Sequence, residues 1–203
     1  CALPTAARSR GVWLEFGGVY MNSDVWVNGV NVGKRPYGYV SFAYDVTKHL
    51  KPGANVIAVR VDNSAQPNSR WYSGSGIYRH VWLTLVDSLH VGHWGVAVTT
   101  PAADSANATV VTRTRLENHH AAQRRGTLRS VILDPAGREV ARKDSAFALP
   151  GGRQLEVEQR AELRAPKLWA VDAPNLYVLR SLVLEGNRIT DSVRTTFGIR
   201  TIG

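Results

Sequence analysis

Val25-Trp26-Val27-Asn28-Gly29-Val30-Asn31-Val32 is the stretch whose reading decides the fold class. Valines on either side of Asn28-Gly29 alternate with other residues at a period of two. Both central residues of a two-residue type I′ turn need positive φ, which Asn and Gly tolerate, so the segment predicts a tight antiparallel hairpin. The same alternation continues outward. Residues 12–16 read as a strand, and residues 40–44 alternate again up to Asp45-Val46-Thr47. There the Asp side chain can bond forward to backbone amides as the chain turns. Lys51-Pro52-Gly53-Ala54 is a further turn, feeding a strand over residues 55–62, and strand character returns at 78–86 and 94–99. No window of helical length sustains a 3.6-residue period. The chain is expected to be all-β.

At 203 residues, two modules of about 100 residues each are the natural division, with a single large sandwich as the alternative. Pro101-Ala102-Ala103-Asp104-Ser105-Ala106 is the best linker candidate, which gives domains over residues 1–100 and 101–203. Beyond it, strands are expected at 108–117, 127–133, 139–147, 155–163, 177–184 and 189–197. Turns such as Asp134-Pro135-Ala136-Gly137 and Pro150-Gly151-Gly152 separate them. Short strands at this spacing describe an immunoglobulin-like β-sandwich, here without a Cys-Trp-Cys framework.

Composition narrows the function classes. Hydrophobic residues at 44% and charged residues at 20% suffice to build a core. No apolar run approaches the roughly 18 residues of a spanning helix. Cys1 is the one cysteine, so neither an intrachain disulfide nor a thiolate metal cluster can form. Cysteine usage leaves the compartment open, with the periplasm or the exterior favoured over the cytoplasm, and Cys1 is either an acylated first residue or the end of a cut chain. Lys plus Arg number 25 against 16 acidic residues, a formal charge of +9, which raises nucleic acid as a partner. The charge is spread, however. Its densest cluster, Arg113, Arg115, Arg124, Arg125 and Arg129, is interrupted by Glu117 and has few aromatics beside it. A solvated basic surface and no nucleic-acid partner is the reading.

Catalytic constellations are also missing. Gly74-Ser75-Gly76 lacks both the spacing of a nucleophile elbow and a following helix. His90 and His93 would project to opposite faces of an extended chain, and His119 and His120 are adjacent, so all four are expected at surfaces or in loops, with no metal site. Glu156 and Glu158 share a strand face, but the alternation there places them on the solvent side. No catalytic centre, metal or cofactor is expected. One segment stands apart. Residues 63–76 are too polar and glycine-rich for a strand, yet carry Trp71 and Tyr72, the signature of a functional loop.

The N-terminal half resembles the sugar-binding domain of glycoside hydrolase family 2, which includes β-galactosidases, β-glucuronidases and β-mannosidases. The matching run is Val12-Trp13-Leu14-Glu15-Phe16-Gly17-Gly18-Val19-Tyr20, Val25-Trp26-Val27-Asn28-Gly29, Gly38-Tyr39-Val40-Ser41-Phe42 and Asp45-Val46-Thr47. It continues through Asn55-Val56-Ile57-Ala58-Val59-Arg60-Val61-Asp62-Asn63 and Gly76-Ile77-Tyr78-Arg79-His80-Val81-Trp82-Leu83. The second half is similar to the family's immunoglobulin-like domain, through Leu168-Trp169, Pro174-Asn175-Leu176-Tyr177, Asp191 and Phe197-Gly198-Ile199-Arg200. This resemblance implies a galactose-binding-like jelly roll, with its front strands missing, followed by the immunoglobulin-like sandwich.

In the family a (β/α)₈ barrel carrying both catalytic glutamates follows the Phe-Gly-Ile-Arg motif, and the chain ends at Gly203. The resemblance therefore implies a non-catalytic front portion of a retaining β-galactosidase-like enzyme, with that barrel as partner and β-galactosides as the substrate. The alternative is a freestanding carbohydrate-binding module. Arg70-Trp71-Tyr72 before the Gly-Ile-Tyr-Arg motif looks most like the β-galactosidase branch. Arg70 stands where relatives place a substrate-contacting Asp, so Arg70 and Trp71 are the implied sugar contacts. Arg79, beside a strand of alternating core residues, is expected to be structural, paired with a carboxylate or loop carbonyls. A jelly roll short of its front strands would leave a sheet edge open, and pairing of that edge in a homodimer is expected.

Overall fold

The computed structural model describes residues 11–65 and 73–201. The chain divides into two compact units between Asp87 and Ser88. The first contains β1 (Gly11–Phe16), β2 (Val19–Tyr20), β3 (Ser23–Val27), β4 (Val30–Arg35), β5 (Phe42–Asp45), β6 (Ile57–Arg60), β7 (Gly76–Ile77) and β8 (Val81–Val86). They form sheets ordered β5-β1-β8, β4-β3-β6 and the short pair β2-β7. Alternation does the work expected of it: β1 and β3 bury every second side chain. Val12, Leu14, Phe16, Val25, Val27 and Phe42 meet in one apolar core.

The β3–β4 hairpin turns through Asn28 at φ 50° and Gly29 at φ 85°. Asn28 does more than tolerate that backbone. Its amide nitrogen donates to the His49 carbonyl and to Asn55 Oδ1, and its Oδ1 accepts from Val56 N. The hairpin tip is thus tied to the 3-10 turn at Thr47–His49 and to the strand-feeding turn after it. The Asp45 carboxylate accepts from Thr47 N, as the Asp-Val-Thr reading expected.

The second unit contains β9 (Leu89–Ala103), β10 (Asn107–Asn118), β11 (Arg124–Leu133), β12 (Glu139–Leu149), β13 (Gln154–Arg164), β14 (Leu176–Glu185) and β15 (Arg188–Gly198). A three-stranded sheet, β13-β10-β9, and a four-stranded sheet, β12-β11-β14-β15, make an antiparallel sandwich. Its interior holds two apolar clusters, one around Val110, Ile132 and Leu179, the other around Leu116, Leu128 and Val183. Buried Thr112, Thr114, Ser130, Gln159 and Ser181 occupy strand positions between them. Tyr177 is buried at the start of β14, and its hydroxyl accepts from Lys167 N at 2.9 Å.

The division expected at residue 100 differs from the observed one. Pro101 lies inside β9, which is an edge strand of its sheet. Proline is tolerated there because an edge strand has one side without a ladder partner. It also falls where the β9–β10 register shifts, between the Ala102–Thr109 and Thr99–Val111 pairs. A Pro-Ala-Ala-Asp run that reads as a linker is therefore a bulged strand end.

The family-like residues of the second half converge. Trp169 N donates to the Ile199 carbonyl, the Arg200 guanidinium lies 4.7 Å above the Trp169 ring, and Asn175 Nδ2 donates to the Leu168 carbonyl. Asp191 Oδ2 accepts from Val91 N on β9. These residues lock the unit's strands together, which is a structural role.

Candidate functional site

In the first unit, β2 pairs with β7 through Val19–Ile77 and Tyr20–Gly76, so the residues that close the 63–76 loop run beside Tyr20. The Gly38-Tyr39 turn packs against the same place. Tyr78 Oη donates to the Gly38 carbonyl at 2.8 Å, and the Tyr20 and Tyr39 rings meet edge-on at 5.3 Å. Tyr37 meets Tyr39 edge-on at 5.7 Å. Gly38 is required by this packing, since a Cβ there would stand 2.5 Å from the Tyr20 ring.

Tyr20, Tyr39 and residues 73–78 line a concavity of about 280 Å³. Tyr37, Tyr39 and Tyr78 are each about half exposed. Burial pushes the Tyr39 phenol above its ordinary value, and its hydrogen bond with Tyr20 adds to the rise. The Tyr39 hydroxyl therefore stays protonated at neutral pH and can both donate and accept. Aromatic faces carrying polar tips suit a ligand with one apolar and one hydroxylated side.

The loop stems are held from both ends. At the entry, Ser64 N and Ser64 Oγ donate to Asp62 Oδ1, and Asn22 Nδ2 donates to the Asp62 carbonyl. The Ser64 hydroxyl and amide keep the Asp62 carboxyl below the usual carboxylate range. At the exit is the β2–β7 pairing. Arg70 and Trp71, the sugar contacts implied by the sequence, lie outside the described residues. Arg79 is exposed and stands 5.6 Å over the Tyr78 ring, so the contact described for it is aromatic rather than with a carboxylate.

Other candidates resolve plainly. Glu156 and Glu158 face solvent, and Glu158 is engaged by Arg113 at 2.8 Å across the β10–β13 pair. Four of the five clustered arginines have a carboxylate within reach: Arg113 with Glu158, Arg115 with Glu117, Arg124 with Glu185 and Arg129 with Asp144. Each of these four charges is thus countered by a neighbouring carboxylate. The expectation for histidine needs one correction. His90 is buried, because β9 starts at Leu89 and its first residues lie inside the sandwich.

Residues 90–200 match the family model described as glycosyl hydrolases family 2, and residues 2–88 match one described as glycosyl hydrolase 2 galactose-binding domain-like. A β-galactosidase, BoGH2A of Bacteroides ovatus, is 47% identical over 93% of this chain and 22% of its own length. A putative β-glucuronidase of Formosa agariphila is 37% identical over 97% of the chain and 18% of its own length. Among solved structures, a glycosyl hydrolase family 2 member from Bacteroides cellulosilyticus superposes with a TM-score of 0.96 at 37% identity, covering 100% of this chain and 28% of that one. The chain spans about a fifth of the length of the curated relatives it matches.

Proposed function

Since the chain belongs to glycosyl hydrolase family 2, we propose that it is the non-catalytic front portion of a retaining β-galactosidase-like enzyme. In this reading a galactose-binding-like unit and an immunoglobulin-like unit serve a catalytic barrel that supplies the acid/base and nucleophilic glutamates. The observation that carries it is the 47% identity to a β-galactosidase across nearly the whole chain. The chemistry agrees. The paired glutamates of β13 are solvent-facing, whereas the tyrosine-lined concavity is built for recognition. Arg70 and Trp71 are the proposed sugar contacts, and they precede in sequence the residues 73–78 that line that concavity. A guanidinium donates paired hydrogen bonds to vicinal hydroxyls, and an indole face takes the apolar side of a pyranose ring.

Hydrolysis of a chromogenic β-galactoside tests the reading in three arms. The 203-residue chain alone should show no turnover. The chain joined to its barrel should turn over. Arg70→Ala in that longer protein should lower kcat/KM by about 1.5–3 kcal/mol, the worth of one charged hydrogen bond. Turnover by the chain alone that disappears on replacing one of its own glutamates would overturn the proposal.

Self-association is the second proposed partnership. Among the described residues, β8 is an edge of the β5-β1-β8 sheet and exposes Val81 and Trp82. Sedimentation should show a dimer that Val81→Lys disperses, because a charge on an edge strand opposes edge pairing. A monomer at high concentration would sink this part.

A further inference from the structure

His90 and Glu117 stand directly opposite each other in the β9–β10 register. His119 follows Glu117 by two residues, and its backbone N–H donates to the Ser88 carbonyl at 2.7 Å, so antiparallel pairing continues past the strand end. Residues two apart on a strand, and residues opposite one another across a pair, share a face of the sheet. Three metal-ligating side chains are therefore gathered by register alone.

The carboxylate of Glu117 is the centre of the group. Its Oε2 lies 3.1 Å from His119 Nε2 and 3.8 Å from His90 Nε2. One ligand atom from each of the three residues lies within 4.8 Å of the others. Its other oxygen, Oε1, is taken by Arg115 Nε at 3.3 Å and Gln154 Nε2 at 3.2 Å. That arrangement fixes the carboxylate plane and directs Oε2 toward the two imidazoles. His90 is 2% exposed and Glu117 6%, whereas the His119 side chain is 49% exposed. The group is thus walled on the protein side and open to water on one.

We propose that His90, Glu117 and His119 form a binding site for a divalent transition-metal ion of the zinc class, with water completing the coordination. Two imidazoles and one carboxylate oxygen are a zinc donor set, whereas calcium and magnesium want oxygens. Tetrahedral zinc with bonds of about 2.0–2.1 Å puts its ligand atoms about 3.3 Å apart. The two measured separations to Oε2 bracket that value. The remaining adjustment falls on His119, the half-exposed member with room to turn. Arg115 and Gln154 act as supporting groups that orient the acidic ligand. An ion held there staples the first residues of β9 to the end of β10, within the second unit. The competing account is a buried carboxylate satisfied by hydrogen bonds alone, and it predicts no saturable metal binding.

The test is zinc titration of the chelator-stripped 203-residue chain by calorimetry, with cobalt as a spectroscopic stand-in. One ion per chain is expected, with tetrahedral d–d absorption for cobalt and a raised unfolding temperature with zinc. His119→Ala, and separately the near-isosteric Glu117→Gln, should each weaken binding by roughly a hundredfold or more. His120→Ala, beside Arg124 in the adjoining turn, should leave it unchanged. Circular dichroism checks that each variant is folded. Absence of a saturable 1:1 site, or equal affinity in a folded His119→Ala chain, would overturn the proposal.

Discussion

Phe16→Ala should cost about 3–5 kcal/mol of stability, the range for removing a fully buried aromatic side chain. Phe16 is 1% exposed on β1, the central strand of its sheet, and it stacks on Phe42 with ring centroids 5.1 Å apart and planes at 19°. Phe42 in turn meets Tyr44 edge-on at 5.5 Å. Deleting the first ring leaves a hole facing a row of aromatics on β5 that cannot collapse without moving the sheet. Part of the loss is apolar area, and part is the cavity that remains. Urea unfolding measures the total. Hydrogen exchange, read peptide by peptide, should show β1 and β5 losing protection. A variant within 1 kcal/mol of the parent would mean that this core repacks freely, contrary to its stacked geometry.

The Phe16 position was legible because β1 alternates cleanly, and so was nearly every strand of the second unit. Local chemistry announced the Asn28-Gly29 turn for the same reason: positive φ is a property of two adjacent residues. Contacts set by cross-strand register were not legible. Along the chain the histidine nearest His90 is His93, whereas in space Glu117 and His119, at the end of the next strand and just past it, stand beside it. The boundary was missed because proline on a bulged edge strand and proline in a linker look alike in sequence. The tyrosine cluster left only an indirect trace. Gly18 and Gly38 are where rings approach the backbone too closely for a Cβ, so those glycines were its signal. Arg70 and Trp71 rest on the resemblance.

Gln159→Ala is expected to cost about 2–3 kcal/mol, combining lost hydrogen bonds with a cavity. Gln159 lies on β13 but donates through Nε2 to the Leu128 carbonyl on β11 and to the Lys143 carbonyl and Ser145 Oγ on β12. It is therefore a strut from one sheet of the sandwich to the other, 6% exposed. Its cross-strand partner is Thr112, and buried Ser130 and Ser181 face each other in the β11–β14 register. Together they form a polar belt between two apolar clusters. The belt accounts for register: sliding β13 by two residues would keep its face inward but set the amide among leucines, leaving its donors unmet. Gln159→Leu separates the two contributions, because it restores volume without the donors. It should destabilise less than Ala in urea, while exchange at β11 and β12 rises as the two sheets lose the amide contacts that Gln159 makes at Leu128 and Lys143. If the Ala variant keeps parental stability, the strut carries no load and register must come from the apolar clusters alone.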